Sequence, residues 1–542
     1  GATKSILFQG SKVWIYGTEA LNHSLMNIQL NDQSFDVDTK NSQRVDGKML
    51  WESEIQPFNT YKITVASKSS SVYLLCVYYL YDPQPEISLP NPSMTPIPDT
   101  DMTYINKVFE YYDIPDQIVV ATDSNIKQIS GCTFKNITMF KPPRNNFIRF
   151  DTEIPIFQNT FEYYNVGHEY NHPMPFWTNY DGKFTVSYCK FINCMHRSEN
   201  TYTYDGNVLN SRNKINAIFE SCDFLNCGNI KDRPIFGIFD DESRLTLSHC
   251  NFIFTFGNNI ESSGILLMES QDVSIDNCHF VNTGEIKIVN SGQQGSFIFT
   301  NNVVRYNHQS LINAKSMGSK PTIKNNVFEN CDLDDSTYFI SYEHFLFEGC
   351  IFSNCRTNNE YGGGSGSRLI PLNKVTFNEC TWKNNYCTRN GGAFQYGAEL
   401  ATNNKIIEFQ GCNFTLNRTP ESGGTISIQT HNNINIKDCH FNNNTAGERS
   451  TQPHNLQSDE QNQGYGGSVY INPQITTDIS AAPVCTITGT DFVENQANDG
   501  HAIFIVDSQH TTLSIHDNVF TDNGQTGSTI VTDQIIDIDD ED

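Results

Sequence analysis

An all-β chain is expected, a right-handed parallel β-helix (a solenoid) of roughly 12 to 14 coils behind a small antiparallel β-sandwich, on three features of the sequence. A short phrase recurs, it recurs at a near-fixed interval, and its apolar residues alternate with period two. The phrase is clearest at Lys405–Phe414, KIIEFQGCNF, an alternating strand that ends in Cys412 with Phe414 two places on. IFESCDF, LTLSHCNF, VSIDNCHF, FLFEGCIF and INIKDCHF repeat it, and TIKNNVF, TITGTDF and LSIHDNVF repeat it with another residue in the Cys place.

The repeated position falls at Cys189, Cys222, Cys250, Cys278, Asn302, Asn326, Cys350, Cys380, Cys412, Cys439, Thr490 and Asn518. The intervals are 33, 28, 28, 24, 24, 24, 30, 32, 27, 51 and 28 residues. One solenoid coil of two or three short strands needs about that many, at about 3.3 Å per strand residue plus its corners. A helical repeat would instead space its apolar residues at 3.6. The interval of 51 is either one coil with a long loop or two coils. Stacked at about 4.8 Å, the repeated residues form an interior ladder of small thiols interchangeable with Asn and Thr. A second set lies five residues on, at Cys194, Cys227, Cys331 and Cys355. Free core thiols are expected, with some disulfides as the alternative. CxxC spacing for a structural zinc is absent.

Residues 1–82 lack the phrase. ILFQGSKVWIYGT, MNIQLND, YKITVAS and SVYLLCVYYLY read as strands of a sandwich with Trp14, Tyr16, Ile63 and Leu74 in its core. Its FQGSKVWIYGT opening and late FNTYKITV strand resemble galactose-binding-like jelly-roll modules, with Asn59-Thr60-Tyr61 where Gly-His is usual. That resemblance implies carbohydrate binding or plain domain packing. Residues 83–100 are proline-rich, a semi-rigid spacer. The helix is expected over 101–535, with loop insertions near 139–180, where Cys132 and Cys189 stand 57 residues apart, and near 447–464. The sandwich is a candidate cap for the exposed coil end, and 536–542 is an acidic tail.

Later coils open a strand on glycines, as in NGGAFQY, SGGTISI, YGGSVYI and DGHAIFI. With the tetrapeptides FTLN (Phe414–Asn417), FVEN (Phe492–Asn495), GGAF (Gly391–Phe394), GGTI (Gly423–Ile426) and GGSV (Gly466–Val469), the chain resembles the polymorphic outer-membrane protein repeat family, known by FxxN and GGA[ILV]. The resemblance runs over roughly residues 120–525 and implies an exposed, adhesin-like surface protein of the kind found in parasitic protists.

Net charge of −26 and a pI near 4.8 argue against nucleic acid or an anionic membrane as partner. No run approaches the roughly 18 apolar residues of a spanning helix. Without an initiator Met or signal peptide at Gly1, a mature or trimmed product is expected, attached to a membrane only through segments outside this chain. N-x-S/T sites at Asn22, Asn136, Asn413, Asn417 and Asn443 are compatible with an extracellular glycoprotein.

Two constellations bear on chemistry. His168-Glu169-Tyr170-Asn171-His172 fits H-E-x-x-H, which needs a helix to bring both histidines to one face. Gly167, Pro173 and the lack of helical periodicity make it an insertion loop, and no metal or cofactor is expected. Asp240 or Asp241 stands one coil before Glu269, about the separation of a carboxylate pair in a glycan-cleaving β-helix. The arginine or lysine clamp of pectin lyases and the GHG and RIK strings of polygalacturonases are missing. Ordinary solvated acids are therefore expected, there and at Asp332, Asp334 and Asp335. The expectation is a non-enzymatic extracellular surface protein meeting a host or matrix protein, a glycan, or copies of itself. A self-assembling filament and a β-helix lyase or hydrolase are the alternatives.

Overall fold

The computed structural model describes most residues between Thr3 and Thr532, without short connections and the longer segments 81–102, 140–147, 167–175, 197–207, 254–265, 358–367, 448–463 and 473–482. Two compact units are present, one built on Gly1–Pro90 and the other on the chain from Asn91 onward. Among the described residues no helix is long and apolar enough to cross a membrane.

In the N-terminal unit, strands Thr3–Gly10, Asn59–Ser67, Leu25–Leu30 and Gln33–Asp38 form one antiparallel sheet. Val45–Glu52, Lys12–Glu19 and Leu74–Leu80 form another. Val13, Ile15, Met26, Ile28, Leu30, Tyr61, Ile63 and Val65 share one core, with Phe35, Val37, Leu50 and Trp51 packed against it. Val13 and Ile15 of the second strand are buried, as is Ile63. The side chains of Trp14, Tyr16 and Leu74, expected in the core, lie outside the described set.

The second unit is a parallel β-helix. One long sheet has fifteen parallel strands, from Thr103–Ile105 to Thr512–His516, each paired with the equivalent strand one coil away. Among the described residues a corner follows these strands. There the residue before the repeated position is held left-handed, at φ 55 for Tyr188, 52 for Ser221, 55 for His249 and 53 for Asp438. This is why Gly, Asn, Asp or Ser so often precedes the Cys. A three-residue strand comes next, then a second left-handed corner, as at Asn354 and Asn384. The remaining face is laid by successive parallel sheets of six, four and five strands.

Phenylalanines from the three-residue strands stack along the interior. Phe134, Phe161, Phe191, Phe224, Phe252 and Phe280 sit 4.6 to 5.1 Å apart, ring over ring. Phe352, Trp382, Phe414, Phe441, Phe492 and Phe520 continue the file at 4.6 to 5.2 Å. Near-parallel rings at one coil spacing bury a large apolar area at every step.

The glycine-led strands are explained by crowding. A Cβ on Gly424 would lie 2.1 Å from the carbonyl oxygen of Gly467, and one on Gly467 would lie 2.0 Å from that of His501. Consecutive coils meet there backbone to backbone.

One long sheet stacks fifteen strands, in keeping with the roughly 12 to 14 coils expected. One expectation needs correction. The stretch 139–180, expected as a protruding loop, carries strands Ile148–Phe150, Ile156–Phe157, Thr160–Val166 and Phe176–Thr178, all paired in parallel. Its missed rung is Asn159: Thr160 N donates to Cys132 O, and Lys190 N to Asn159 O, both at 2.8 Å. The signal was IFQNTF, obscured because its strand is only two residues long and Asn stands in the Cys place. Of the two readings left open for the interval of 51 residues, the single coil is the one present, since Asn435 pairs directly with Thr486 and Phe441 with Phe492. Most of 447–464 lies outside the described residues, as does the tail.

Candidate interaction face

The repeated positions stand in single file. Asp223 N donates to Cys189 O, Asn251 N to Cys222 O and His279 N to Cys250 O. Cys278, Asn302, Asn326, Cys350, Cys380, Cys412, Cys439 and Thr490 accept in turn, at 2.8 to 3.0 Å. Fifteen described cysteines are buried and free. Burial pushes the Cys485 thiol up to about 12 and those of Cys222, Cys380 and Cys412 well above the ordinary range, while hydrogen bonds with Cys222 and Cys278 bring the Cys250 thiol down. These groups are closed to solvent chemistry.

A second interior ladder, five residues on, is richer in asparagine than the sequence reading recognised. It holds Cys194, Cys227, Thr283, Asn307, Cys331, Cys355, Asn385, Asn417, Asn444, Asn495 and Asn523, all buried. Most of its members are the last residue of an FxxN or FxxC, with Thr283 closing FVNT, Asn307 closing VRYN and Asn385 closing WKNN, so that motif marks an interior rung. Asn417 is therefore corrected as a glycosylation candidate: it is fully buried and its Nδ2 donates to Trp382 O at 3.1 Å. Asn413 and Asn443 are exposed. Asn413 Oδ1 accepts from Thr415 Oγ1 at 3.0 Å. Asn22 and the side chain of Asn136 lie outside the described set.

What remains accessible on the long sheet is its outer surface, where alternate residues of consecutive coils line up in columns. One column runs Thr246, Ser274, Ile298, Thr322, Leu346, Thr376, Glu408, Asn435, Thr486 and Ser514. The acids of this outer face are tied to their neighbours. Asp272 accepts from Ser296 N at 3.0 Å and Ser296 Oγ at 2.6 Å, with Arg244 Nε at 3.0 Å. Partial burial works against its charged form, but the Ser296 hydrogen bonds and Arg244 hold its carboxyl below the usual range. The same balance holds for Asp276, bonded by Thr300, Asn301 and Asn277.

Glu408 is the centre of the largest such network. Lys374 Nζ approaches it at 2.6 Å, Thr376 Oγ1 donates at 3.2 Å and Asn435 Nδ2 at 3.2 Å, while His344 Nε2 lies 3.1 Å from Thr376 Oγ1. Four coils are joined through one carboxylate. Burial raises its pKa and these partners more than reverse that, so Glu408 stays ionised with its oxygens engaged. A general acid needs the opposite shift. Arg305 with Glu329 and Lys324 with Glu348 add further coil-to-coil pairs at 3.0 and 2.8 Å.

The proposed carboxylate pair is only half described. Ile238 lies opposite Met268, so the strands leading to Asp240 and Glu269 are neighbours, but Asp241 and Glu269 lie outside the described residues. Asp240 Oδ1 accepts from Glu242 N at 2.9 Å, closing the turn into strand Arg244–Ser248, and Glu242 pairs with Lys214. His168, Glu169 and His172 are likewise outside. Among the described residues no group of three or more His, Cys, Asp or Glu side chains is placed to hold a metal ion.

Residues 255–413 match the family model described as right handed beta helix region. No curated protein matches the chain. Among solved structures, the catalytic domain of Agl-KA is 10% identical, with 96% of this chain and 87% of that one covered and a TM-score of 0.25. A GH87 alpha-1,3-glucanase catalytic domain in complex with tetrasaccharides is 10% identical, with 82% and 87% covered and a TM-score of 0.31. The catalytic unit of a thermostable GH87 alpha-1,3-glucanase from Streptomyces thermodiastaticus strain HF3-3 is 10% identical, with 96% and 89% covered and a TM-score of 0.24. The chain thus carries a right-handed β-helix region over residues 255–413, continuous in strand register with the coils on both sides of it.

Proposed function

We propose that this chain is a non-enzymatic, extracellular display protein whose solenoid offers a stiff polar surface, adhesin-like, to a matrix or host partner. The observation that carries the reading is the state of the outer carboxylates: Asp272, Asp276 and Glu408 are all held below the ordinary range by neighbours one coil away. Such groups serve as fixed charges in a hydrogen-bonded lattice with a period of about 4.8 Å, not as proton donors. The FxxN and GGA[ILV] tetrapeptides support the same reading through their resemblance to surface-protein repeats.

The test is a pair of assays on the full chain. Immobilised protein is expected to capture extracellular-matrix proteins or glycans while releasing no reducing ends or unsaturated products from a polysaccharide panel. Turnover of any glycan that disappears in Glu269→Gln would overturn the proposal.

A further inference from the structure

We propose that a second copy of this chain docks on the outer face of the three-residue strands between Lys190 and Ser353, closing a two-fold dimer around a stripe of aliphatic side chains. In seven consecutive coils the middle residue of that strand is buried and its two neighbours face out. Ile192, Leu225, Ile253 and Val281 stack in register at the last position. The stripe then crosses to the first position, where Val303, Val327 and Ile351 continue it. Ile253 is 43% and Ile351 40% exposed. In the next coils the same two columns hold Thr381 and Lys383, then Asn413 and Thr415, so on that side the aliphatic stripe gives way to polar residues.

Apolar side chains open to water on consecutive coils mark a contact surface, and three features select a second copy as its occupant. Each of these strands is paired on both sides, with the coil before it and the coil after it, so no free edge is offered to an added peptide strand. What is left is a plane, and planes of strands pack face to face about 10 Å apart and within about 30° of alignment. A two-fold axis crossing the slanted stripe at its midpoint, near Val281, lays it on its own image, the self-complementarity that an isologous dimer needs. The charges beside the stripe cancel: Lys190 and Arg305 balance Asp223 and Glu329, and Arg305 Nε lies 3.0 Å from Glu329 Oε2. In a chain of net charge −26, such a face is where a like copy meets least repulsion. Seven coils at about 4.8 Å and three strand residues at about 3.3 Å make a plane of roughly 30 by 10 Å. With the corner residues on both sides, two copies bury on the order of 1,000 Å², the lower end for a specific interface. The dimer is therefore reversible and depends on concentration.

Sedimentation equilibrium of the full chain tests the face. A monomer–dimer equilibrium in the micromolar range is expected, weakened on the order of a hundredfold in an Ile253→Asp, Ile351→Asp double variant. Ile253→Thr with Ile351→Thr, which keeps the β-branched strand surface, is expected to weaken it less. Ile298→Asp, at a 37% exposed position on the long sheet, is expected to leave the dimer as it is. Thermal melts matching the parent's show that each variant folds. A photo-crosslinking residue in place of Val281 is expected to join two chains. A chain that stays monomeric at every concentration, or a dimer that the double variant leaves intact, overturns the proposal. So do cross-links confined to one chain, which would place a segment of that chain over the stripe. The display role is decided separately, by capture of matrix proteins or glycans.

Discussion

Asn417 Nδ2 donates to Asn444 Oδ1 at 3.0 Å, and Asn444 Nδ2 donates in turn to Asn495 Oδ1 at 3.0 Å. Asn444 Oδ1 also takes the backbone N–H of Asn417 at 2.9 Å, and its Nδ2 reaches Phe414 O at 3.0 Å. Each buried carboxamide therefore bridges the coil before it and the coil after it, satisfying corner groups that the strands leave over. Asn444→Ala should cost about 2–4 kcal/mol, the price of orphaning buried donors. Asn444→Cys should cost less, since Cys331 and Cys355 fill the same ladder, and Asn413→Gln on the surface should stay within about 0.5 kcal/mol. Urea unfolding followed by far-UV circular dichroism ranks the three. An alanine variant as stable as the parent would remove the ladder's claim to hold the coils together.

Gly424 and Gly411 separate two meanings of glycine. At Gly424 an added Cβ meets Gly467 O at 2.1 Å and Thr445 backbone at 2.7 Å, so Gly424→Ala must push coils apart. At Gly411, φ is +60 and the nearest atom to an added Cβ is Glu379 Cγ at 3.6 Å, so Gly411→Ala meets left-handed strain of about 1–2 kcal/mol and no collision. Gly411→Asn should cost less still, Asn325 and Asn301 holding the equivalent corner at φ 55 and 56. Thermal melts should show Gly424→Ala as much the worst; equal losses at both sites would show that backbone contact between coils is not the constraint.

Acid should unfasten the outer lattice. Asp272, Asp276 and Glu408 have carboxyls lower in the folded chain than in the unfolded one. A depressed folded pKa contributes stability that is present above the unfolded value, about 4, and is lost as pH falls through the folded one. Stability should thus be flat near neutrality and drop below about pH 4. Glu408→Gln should shallow that drop. A drop of unchanged steepness in Glu408→Gln would mean the network around it contributes no linkage.

Much of this architecture is legible because a parallel solenoid repeats its interior at every coil. Cys, Asn and Thr interchange at the first ladder because each is small and able to bond a corner N–H, so the phrase survives substitution. Asn159 escaped because two residues of strand give too little alternation to see. Asn417 was misjudged because N-R-T reads as an acceptor site, whereas Phe414 three residues earlier already fixes it as an interior rung. The network at Glu408 was not legible at all. Lys374, Thr376, Glu408 and Asn435 come from coils about thirty residues apart, and only the register of coils with unequal loops brings them together.

Chemical labelling offers the sharpest test of the interior. The cysteines from Cys132 to Cys485 are buried away from reagent, and burial also pushes the thiols of Cys485, Cys380 and Cys412 upward. A thiol reacts through its thiolate, so at pH 8 the folded chain should label at no more than the one cysteine outside that set, Cys76. In urea without reductant, all 16 cysteines of the chain should label at once. Rapid native labelling at several sites would mean that the coils open to solvent. A shortfall in urea that reductant restores would mean that neighbouring rungs are joined by disulfides, and the ladder would then be a covalent staple rather than a packed column of thiols.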